Sequence, residues 1–179
     1  VFSRQARDTG IPLVYVNNVG IQNNGKTLYT FDGCSTAYGS NGEPLLHCPP
    51  FEEQLAYVTL EDLQAHAGAS PVAVPDDTGI DSIFSCLRYG VQNFLLQTGL
   101  AKIVVGVSGG IDSAVAAALY AHVLQPENVL LVNMPSQYNS PTTISLARRL
   151  AENLGCRYAD IPIEESVALT VRQMEAAGL

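Results

Sequence analysis

The segment Val104-Val105-Gly106-Val107-Ser108-Gly109-Gly110-Ile111-Asp112-Ser113-Ala114-Val115 constrains this chain more than any other. It leaves a β-rich apolar run and enters a helical stretch through two adjacent glycines, which is the pattern of a buried strand, a tight turn and a helix N-terminus. Such a turn builds an anion site. Glycine lets the backbone approach an anion closely, and the first N–H groups of a helix supply free donors and a partial positive charge. The stretch from Gly106 through Val107, Ser108, Gly109, Gly110, Ile111 and Asp112 to Ser113 is therefore the candidate phosphate loop, with the hydroxyls of Ser108 and Ser113 as further donors. It contains no G-x-x-x-x-G-K-[ST], so the lysine that a kinase-type P-loop sets beside the β and γ phosphates is missing. Asp112 would repel a bound phosphate unless a divalent cation lay between them, and this assigns it to Mg²⁺.

The surrounding pattern predicts where this loop sits. Strands are expected at Ile103 to Val107, Val129 to Asn133 and Tyr158 to Ile161. Between them fall a helix from Ser113 to Leu124 and another with Ser140 as N-cap and Pro141 at its first position, burying Ala147, Leu150, Ala151 and Leu154; a last helix closes the chain. Strands alternating with helices mean a parallel, doubly wound sheet. A helix before it is marked by Ile83, Leu87, Val91 and Phe94 or Leu95, ending at Gly99. Upstream the rhythm is different. Ile11 to Val16 reads as a strand running into the polar loop Asn17 to Gly20, Asn23-Asn24-Gly25 is a hairpin signal, and Thr27 to Phe31, Ser35 to Tyr38, Leu45 to Cys48 and Gln54 to Thr59 are short strands of an antiparallel or mixed sheet. Glu61 to Thr78, with Gly68, Ala69, Ser70, Pro71, Pro75, Asp76 and Asp77, has no sustained period and reads as a linker. The expected organisation is thus residues 1–60, a linker over 61–79 and a second domain over 80–179.

Charge and composition exclude several classes. Nine basic against seventeen acidic residues leave a formal charge of −8, which repels nucleic acid. The apolar runs are too short to span a bilayer and no basic-then-apolar leader opens the chain, so no membrane partner is expected and the protein is placed in the cytoplasm. Cys34, Cys48, Cys86 and Cys156 form no C-x-x-C and read as reduced thiols, while His47, His66 and His122 share no metal-ligand spacing. Glu52-Glu53 and Asp76-Asp77 read as solvated surface. The opening Val1-Phe2-Ser3, without Met and already helical in pattern, and the close at Leu179, where the alternation calls for another strand, are both expected to be cut points.

The pattern S-G-G-I-D-S at 108–113 resembles the pyrophosphate loop of the N-type ATP pyrophosphatases, a superfamily with a Rossmann-like, adenine nucleotide alpha hydrolase-like fold. Within it, Asn133-Met134-Pro135-Ser136-Gln137-Tyr138-Asn139-Ser140 is similar to the M-P-S-x-Y-S-S segment of glutamine-dependent NAD synthetases, which implies that Met134, Ser136 and Tyr138 help hold ATP. Asn139 departs from the usual serine, and the acidic residue common near Leu146 is absent. Ala147 to Gly155 also resembles the family's helix. Pro12 to Gly20 and Phe31-Asp32-Gly33 are similar to the C-terminal half of the nitrilase-like (carbon-nitrogen hydrolase) glutaminase domain that precedes the synthetase in that family, an α/β/β/α sandwich.

The resemblance implies that ATP, Mg²⁺, deamido-NAD and glutamine serve the parent enzyme. In that enzyme glutamine-derived ammonia amidates deamido-NAD through an adenylate, with release of AMP and pyrophosphate. It also implies a homo-oligomer, and a Glu, Lys, Cys glutaminase triad lying before Val1. Cys34, just after Asp32-Gly33 on an expected hairpin strand, matches no member of that triad and is read as structural, as are the other cysteines. Asn17, Asn18 and Gly20 are read as shaping a loop. Two alternatives stay open: another ammonia- or sulfur-transferring member of the superfamily, and a non-catalytic nucleotide-binding fragment. The isolated chain is expected to be inactive.

Overall fold

The computed structural model describes residues 1–65, 70–75 and 79–179. His66, Gly68, Ala69 and the pair Asp76-Asp77, singled out above, lie outside the described residues. The chain divides into two compact units, Val1–Phe94 and Leu95–Leu179.

The first unit opens with α1 (Phe2–Thr9), whose basic last turn and left-handed Gly10 end it. Five short strands follow: β1 (Leu13–Tyr15), β2 (Val19–Asn23), β3 (Leu28–Asp32), β4 (Thr36–Tyr38) and β5 (Pro44–His47). β2 and β3 form the hairpin signalled by Asn23-Asn24-Gly25, with Asn23 opposite Leu28. Its turn is closed by Asn24, whose Oδ1 accepts from the N–H groups of Lys26 at 3.1 Å and Thr27 at 2.8 Å. β1, β4 and β5 make an antiparallel sheet in the order β1-β4-β5, around buried Thr36, Ala37 and Cys48.

Several expectations for this unit are corrected. Val19 and Gly20, read as loop, begin β2, because β3 offers them a ladder. Cys34 lies on the connection between β3 and β4, not on a strand, and takes a left-handed backbone with φ 51°. Gln54 to Thr59 is not a strand: it has no ladder partner among the described residues, and Leu55 and Tyr57 are 78% and 82% exposed. An alternating pattern makes a strand only where a neighbour takes its hydrogen bonds and a core takes one face. The expected linker begins as α2 (Leu60–Gln64), capped by Thr59, whose Oγ1 accepts from the Asp62 N–H at 3.1 Å. It packs on the first unit: Leu63 is buried, its carbonyl accepts from the Ser40 N–H at 3.1 Å, and the Val72 N–H donates to the Pro44 carbonyl at 2.8 Å.

α3 (Ile80–Thr98) runs over the expected span and ends at left-handed Gly99. The division between the units falls inside it. On the first unit Tyr89 stacks on Phe51, with ring centroids 4.7 Å apart. The absence of a side chain at Gly90 makes room for Thr30, whose Oγ1 would lie 2.6 Å from a Cβ there.

The second unit follows the predicted alternation closely: β6 (Ile103–Gly106), α4 (Ile111–Val123), a 3-10 turn at Pro126–Asn128, β7 (Val129–Asn133), α5 (Pro141–Leu154), β8 (Arg157–Asp160) and α6 (Glu164–Ala176). The strands are parallel in the order β6-β7-β8, with Gly106 opposite Val132 and Asn133 opposite Asp160. α4 and α5 touch each other and β7, so they share one face of the sheet. Between them lies the core of Val107, Ala117, Val129, Leu131, Ala147 and Ala151. Alanines on both helices let them approach the sheet and each other.

α4 starts at Ile111 rather than Ser113, because Gly110 adopts the extended backbone of an N-cap and the turn is completed one residue earlier, at Gly109. α5 begins where Ser140 and Pro141 signal it, the Ser140 Oγ accepting from the Thr143 N–H at 3.2 Å. Ser140→Ala is expected to cost about 1 kcal/mol of stability, read as a lower urea midpoint at unchanged slope. No described helix is long and apolar enough to cross a membrane.

Candidate functional site

The parallel register sets two loops side by side at the carboxyl edge of the sheet. Val107 follows β6 and its N–H still donates to the Val132 carbonyl at 2.9 Å, so the chain turns away only at Ser108. Val107 is buried in the core, and its side chain cannot face a ligand. Gly109 then takes φ 80°, and a Cβ on it would lie 2.2 Å from the Thr143 carbonyl oxygen. This glycine is required twice, by its backbone conformation and by the first turn of α5 pressed against it. Thr143 had no signal in the sequence.

The loop is shaped by its own hydroxyls. Ser113 Oγ donates to the Gly110 carbonyl at 3.1 Å and lies 3.3 Å from Ser108 Oγ, which in turn accepts from the Gly110 N–H at 3.3 Å. The Ser108 N–H donates to Ser113 Oγ at 3.3 Å. The N–H groups of Gly109, Ile111 and Asp112 have no acceptor among the described residues. Free amides opening a helix, in a loop where two glycines leave the backbone bare, fit an oxyanion of phosphate type.

Asp112 projects from the first turn of α4 and is exposed, and its carboxylate has no hydrogen-bond or ion-pair partner among the described residues. No group of three His, Cys, Asp or Glu is gathered anywhere in the described residues. A single carboxylate beside a phosphate site suits Mg²⁺, which keeps most of its water and takes its other ligands from phosphate oxygens. A groove of about 390 Å³ adjoins the loop, lined by Gly109, Gly110, Ile111, Leu146 and Arg149 among others.

Of the second group of expected residues, Met134 reaches the end of β6, just before the loop: its Cε lies 3.5 Å from where a Gly106 Cβ would be. Ser136 and Tyr138 follow β7 on the neighbouring loop, and Tyr138 is 86% exposed. Neither forms a hydrogen bond to the glycine loop.

At the same edge of the sheet a polar cluster, not anticipated from the sequence, ties β7, β8 and α5 together. Asp160 accepts from the Tyr158 hydroxyl at 2.5 Å, from Arg148 Nη2 at 2.6 Å and from the amide of buried Asn133 at 3.2 Å, while Arg148 also lies over the Tyr158 ring. The Tyr158 hydrogen bond, helped by Asn133 and Arg148, holds the Asp160 carboxyl below its ordinary value against a smaller opposing effect of burial. Burial, with the hydrogen bond to Asp160, pushes the Tyr158 phenol up. A depressed carboxyl contributes stability that is complete above its unfolded value near 3.9 and is lost as the pH falls through the folded one. The melting difference between wild type and Asp160→Ala is therefore expected to be larger at about pH 7 than at about pH 3.

In the first unit a cavity of about 300 Å³ brings together Asn17, Asn18, Cys34, Cys48 and the exposed pair Glu52-Glu53. The four cysteines are free thiols, and burial pushes the Cys156 thiol up, as expected of a packing residue.

The model of the family described as NAD synthase matches residues 83–178, which contain the glycine loop, both neighbouring strands and α5. The chain belongs to the NAD synthase family. Among its relatives, the glutamine-dependent NAD(+) synthetase of Rhodobacter capsulatus is 36% identical over 167 residues, covering 92% of this chain and 29% of its own length. A solved glutamine-dependent NAD+ synthetase from Acinetobacter baumannii, in complex with ADP, superimposes with a TM-score of 0.75 at 28% identity, over 96% of this chain and 32% of that one. The NMN synthetase from Francisella tularensis gives 0.52 at 25% identity, over 56% of this chain and 41% of that one. This NAD synthase family chain therefore spans about a third of the length of the relatives it matches. The second unit has the Rossmann-like fold of the N-type ATP pyrophosphatases found in NAD synthetases.

Proposed function

We propose that this chain supplies the ATP site of a glutamine-dependent NAD synthetase, with residues 1–60 as the closing part of a nitrilase-like glutaminase domain, 61–79 as the connection and 80–179 as the start of the synthetase domain. One observation carries the reading: a glycine loop with unpaired amides at the start of α4, braced by α5, with a free carboxylate beside it. That the Acinetobacter baumannii relative was solved in complex with ADP supports a nucleotide as ligand.

In this reading the amides of Gly109, Ile111 and Asp112 and the hydroxyls of Ser108 and Ser113 hold the phosphates of ATP. Met134, Ser136 and Tyr138 line the adjoining part of the site. A carboxylate oxygen of deamido-NAD attacks the α-phosphorus, and the bond to pyrophosphate breaks. Ammonia from glutamine then attacks the adenylated carbonyl, AMP leaves with the bonding electrons, and the nitrogen gives up a proton to water. The oriented amides take up negative charge as it develops on phosphate, which is where a preorganised site gains most. Asp112 would hold Mg²⁺, which when bound neutralises phosphate charge and polarises the α-phosphorus. The parent is proposed to act in the cytoplasm as a homo-oligomer. Cys34 and Cys48 are given no catalytic part.

The test is the substrate profile of the full-length protein. ATP- and glutamine-dependent amide formation with deamido-NAD, and little or none with nicotinic acid mononucleotide, XMP or tRNA, is the expected result. A preference for any of the other three would move the chain to a different branch of the superfamily.

A further inference from the structure

The loop from Met134 to Ser140 carries three residues of the candidate nucleotide site and has no strand or helix to hold it. Its two large side chains are only lightly packed: Met134 is 50% and Tyr138 86% exposed. Its conformation is set by side-chain oxygens that take three consecutive backbone amides. Asn139 Oδ1 accepts from the Ser136 N–H at 2.9 Å and from the Ser136 hydroxyl at 3.3 Å. Glu164 Oε2, on the first residue of α6, accepts from the Gln137 N–H at 3.0 Å. Ser136 Oγ accepts from the Tyr138 N–H at 3.4 Å, and the Asn139 N–H returns to the Ser136 carbonyl at 3.0 Å. The segment before α6 completes the attachment, the Ile161 and Ile163 N–H groups donating to the Asn133 and Pro135 carbonyls at 2.8 and 3.2 Å.

We infer that Asn139 and Glu164 are positioning residues of the nucleotide site, which close the 134–140 loop from inside and from α6 and so fix Met134 and Tyr138 for ATP. This rests on the proposed ATP site. Neither side chain is placed against the reacting atoms; each acts through a backbone amide. Asn139 reaches the Ser136 amide because its carbonyl oxygen stands one bond farther from the backbone than a serine hydroxyl would. Glu164 needs only an acceptor oxygen, so glutamine should replace it. The link also makes α6 part of the mechanism by which this loop keeps its shape, through Glu164 and without a side chain placed against the nucleotide.

The experiment uses the full-length protein and two readouts. Asn139→Ala and Glu164→Ala are each expected to raise the KM for Mg-ATP about tenfold while kcat at saturating ATP stays within about twofold and the KM for deamido-NAD is unchanged; Glu164→Gln is expected to stay within about twofold of wild type throughout. Backbone hydrogen exchange of the Ser136 to Tyr138 amides, followed by mass spectrometry, should quicken at least about tenfold in both alanine variants and not in Glu164→Gln. An unchanged KM for ATP in both alanine variants, or a Glu164→Gln protein as impaired as Glu164→Ala, overturns the inference. Wild type without ATP-dependent turnover would overturn the nucleotide reading itself. In that case, slow exchange in wild type and fast exchange in the variants would still establish the closed loop.

Discussion

Replacing Gly109 with alanine is expected to weaken Mg-ATP binding at least about 100-fold, equivalent to about 2.7 kcal/mol, and to destabilise the fold by about 3 kcal/mol. The reason is steric and local. The added Cβ would lie 2.2 Å from the Thr143 carbonyl oxygen and 2.8 Å from its carbon, and those are backbone atoms in the first turn of α5, which no rotamer change can move aside. The residue must also hold φ 80°, where an L side chain is strained. Either the loop moves off α5, and its amides lose their aim, or α5 shifts and opens the Ala147–Ala151 contact with the core. Gly110→Ala is the control. Its backbone is extended, and the nearest atom to a new Cβ is the Ser108 hydroxyl at 3.3 Å, a group that can give way. Calorimetric titration with Mg-ATP and urea unfolding should separate the two variants clearly; equal and near wild-type behaviour would remove the bracing by Thr143 from the account.

Asp112→Ala is expected to have the opposite signature: synthesis falling about 100-fold or more, a loss of about 2.7 kcal/mol in transition-state stabilisation, with a urea midpoint unchanged from wild type. Its side chain is exposed at the start of α4 and is engaged by no other described side chain, so the fold loses nothing with it except a modest favourable interaction with the helix dipole. In wild type, ATP affinity should rise steeply with magnesium; in the variant that dependence should largely vanish. Full-rate synthesis by the variant would show that Asp112 is not the metal's carboxylate.

The second unit was legible because its signals are local. Gly99, Ser140 and Pro141 act on the backbone within a turn of where they stand, and each ends or starts a helix where the sequence places it. The strand-loop-helix segment was equally readable, since the run of β-branched residues and the glycine pair dictate both conformations. In the first unit the β2-β3 hairpin is signalled in the same local way by Asn23-Asn24-Gly25, whereas Gln54 to Thr59 has the pattern of a strand and is none. Alternation records which residues could share a face, but a strand also needs a neighbour, and that is not a local property. Thr59 carries both signals: it closes the strand-like run from Gln54, and its hydroxyl caps the helix that follows through the Asp62 N–H.

The candidate site shows the same division. The sequence alone determined that a bare, amide-rich turn would leave β6 and open α4 with a carboxylate in its first turn, because glycine's conformational freedom and the unpaired N–H groups of a helix start belong to the residues themselves. It also placed Met134, Ser136 and Tyr138 on the loop after the next strand. Only the tertiary structure decided that Thr143 would press on Gly109, that Asn139 and Glu164 would close the second loop, and that Asp160 would gather Asn133, Arg148 and Tyr158. Most of these contacts join residues far apart in the chain, brought together by the parallel pairing of β6, β7 and β8. The physical reason is that hydrogen-bond partners are selected by distance in space, which is set by packing the whole sheet and its helices and not by any short stretch of sequence.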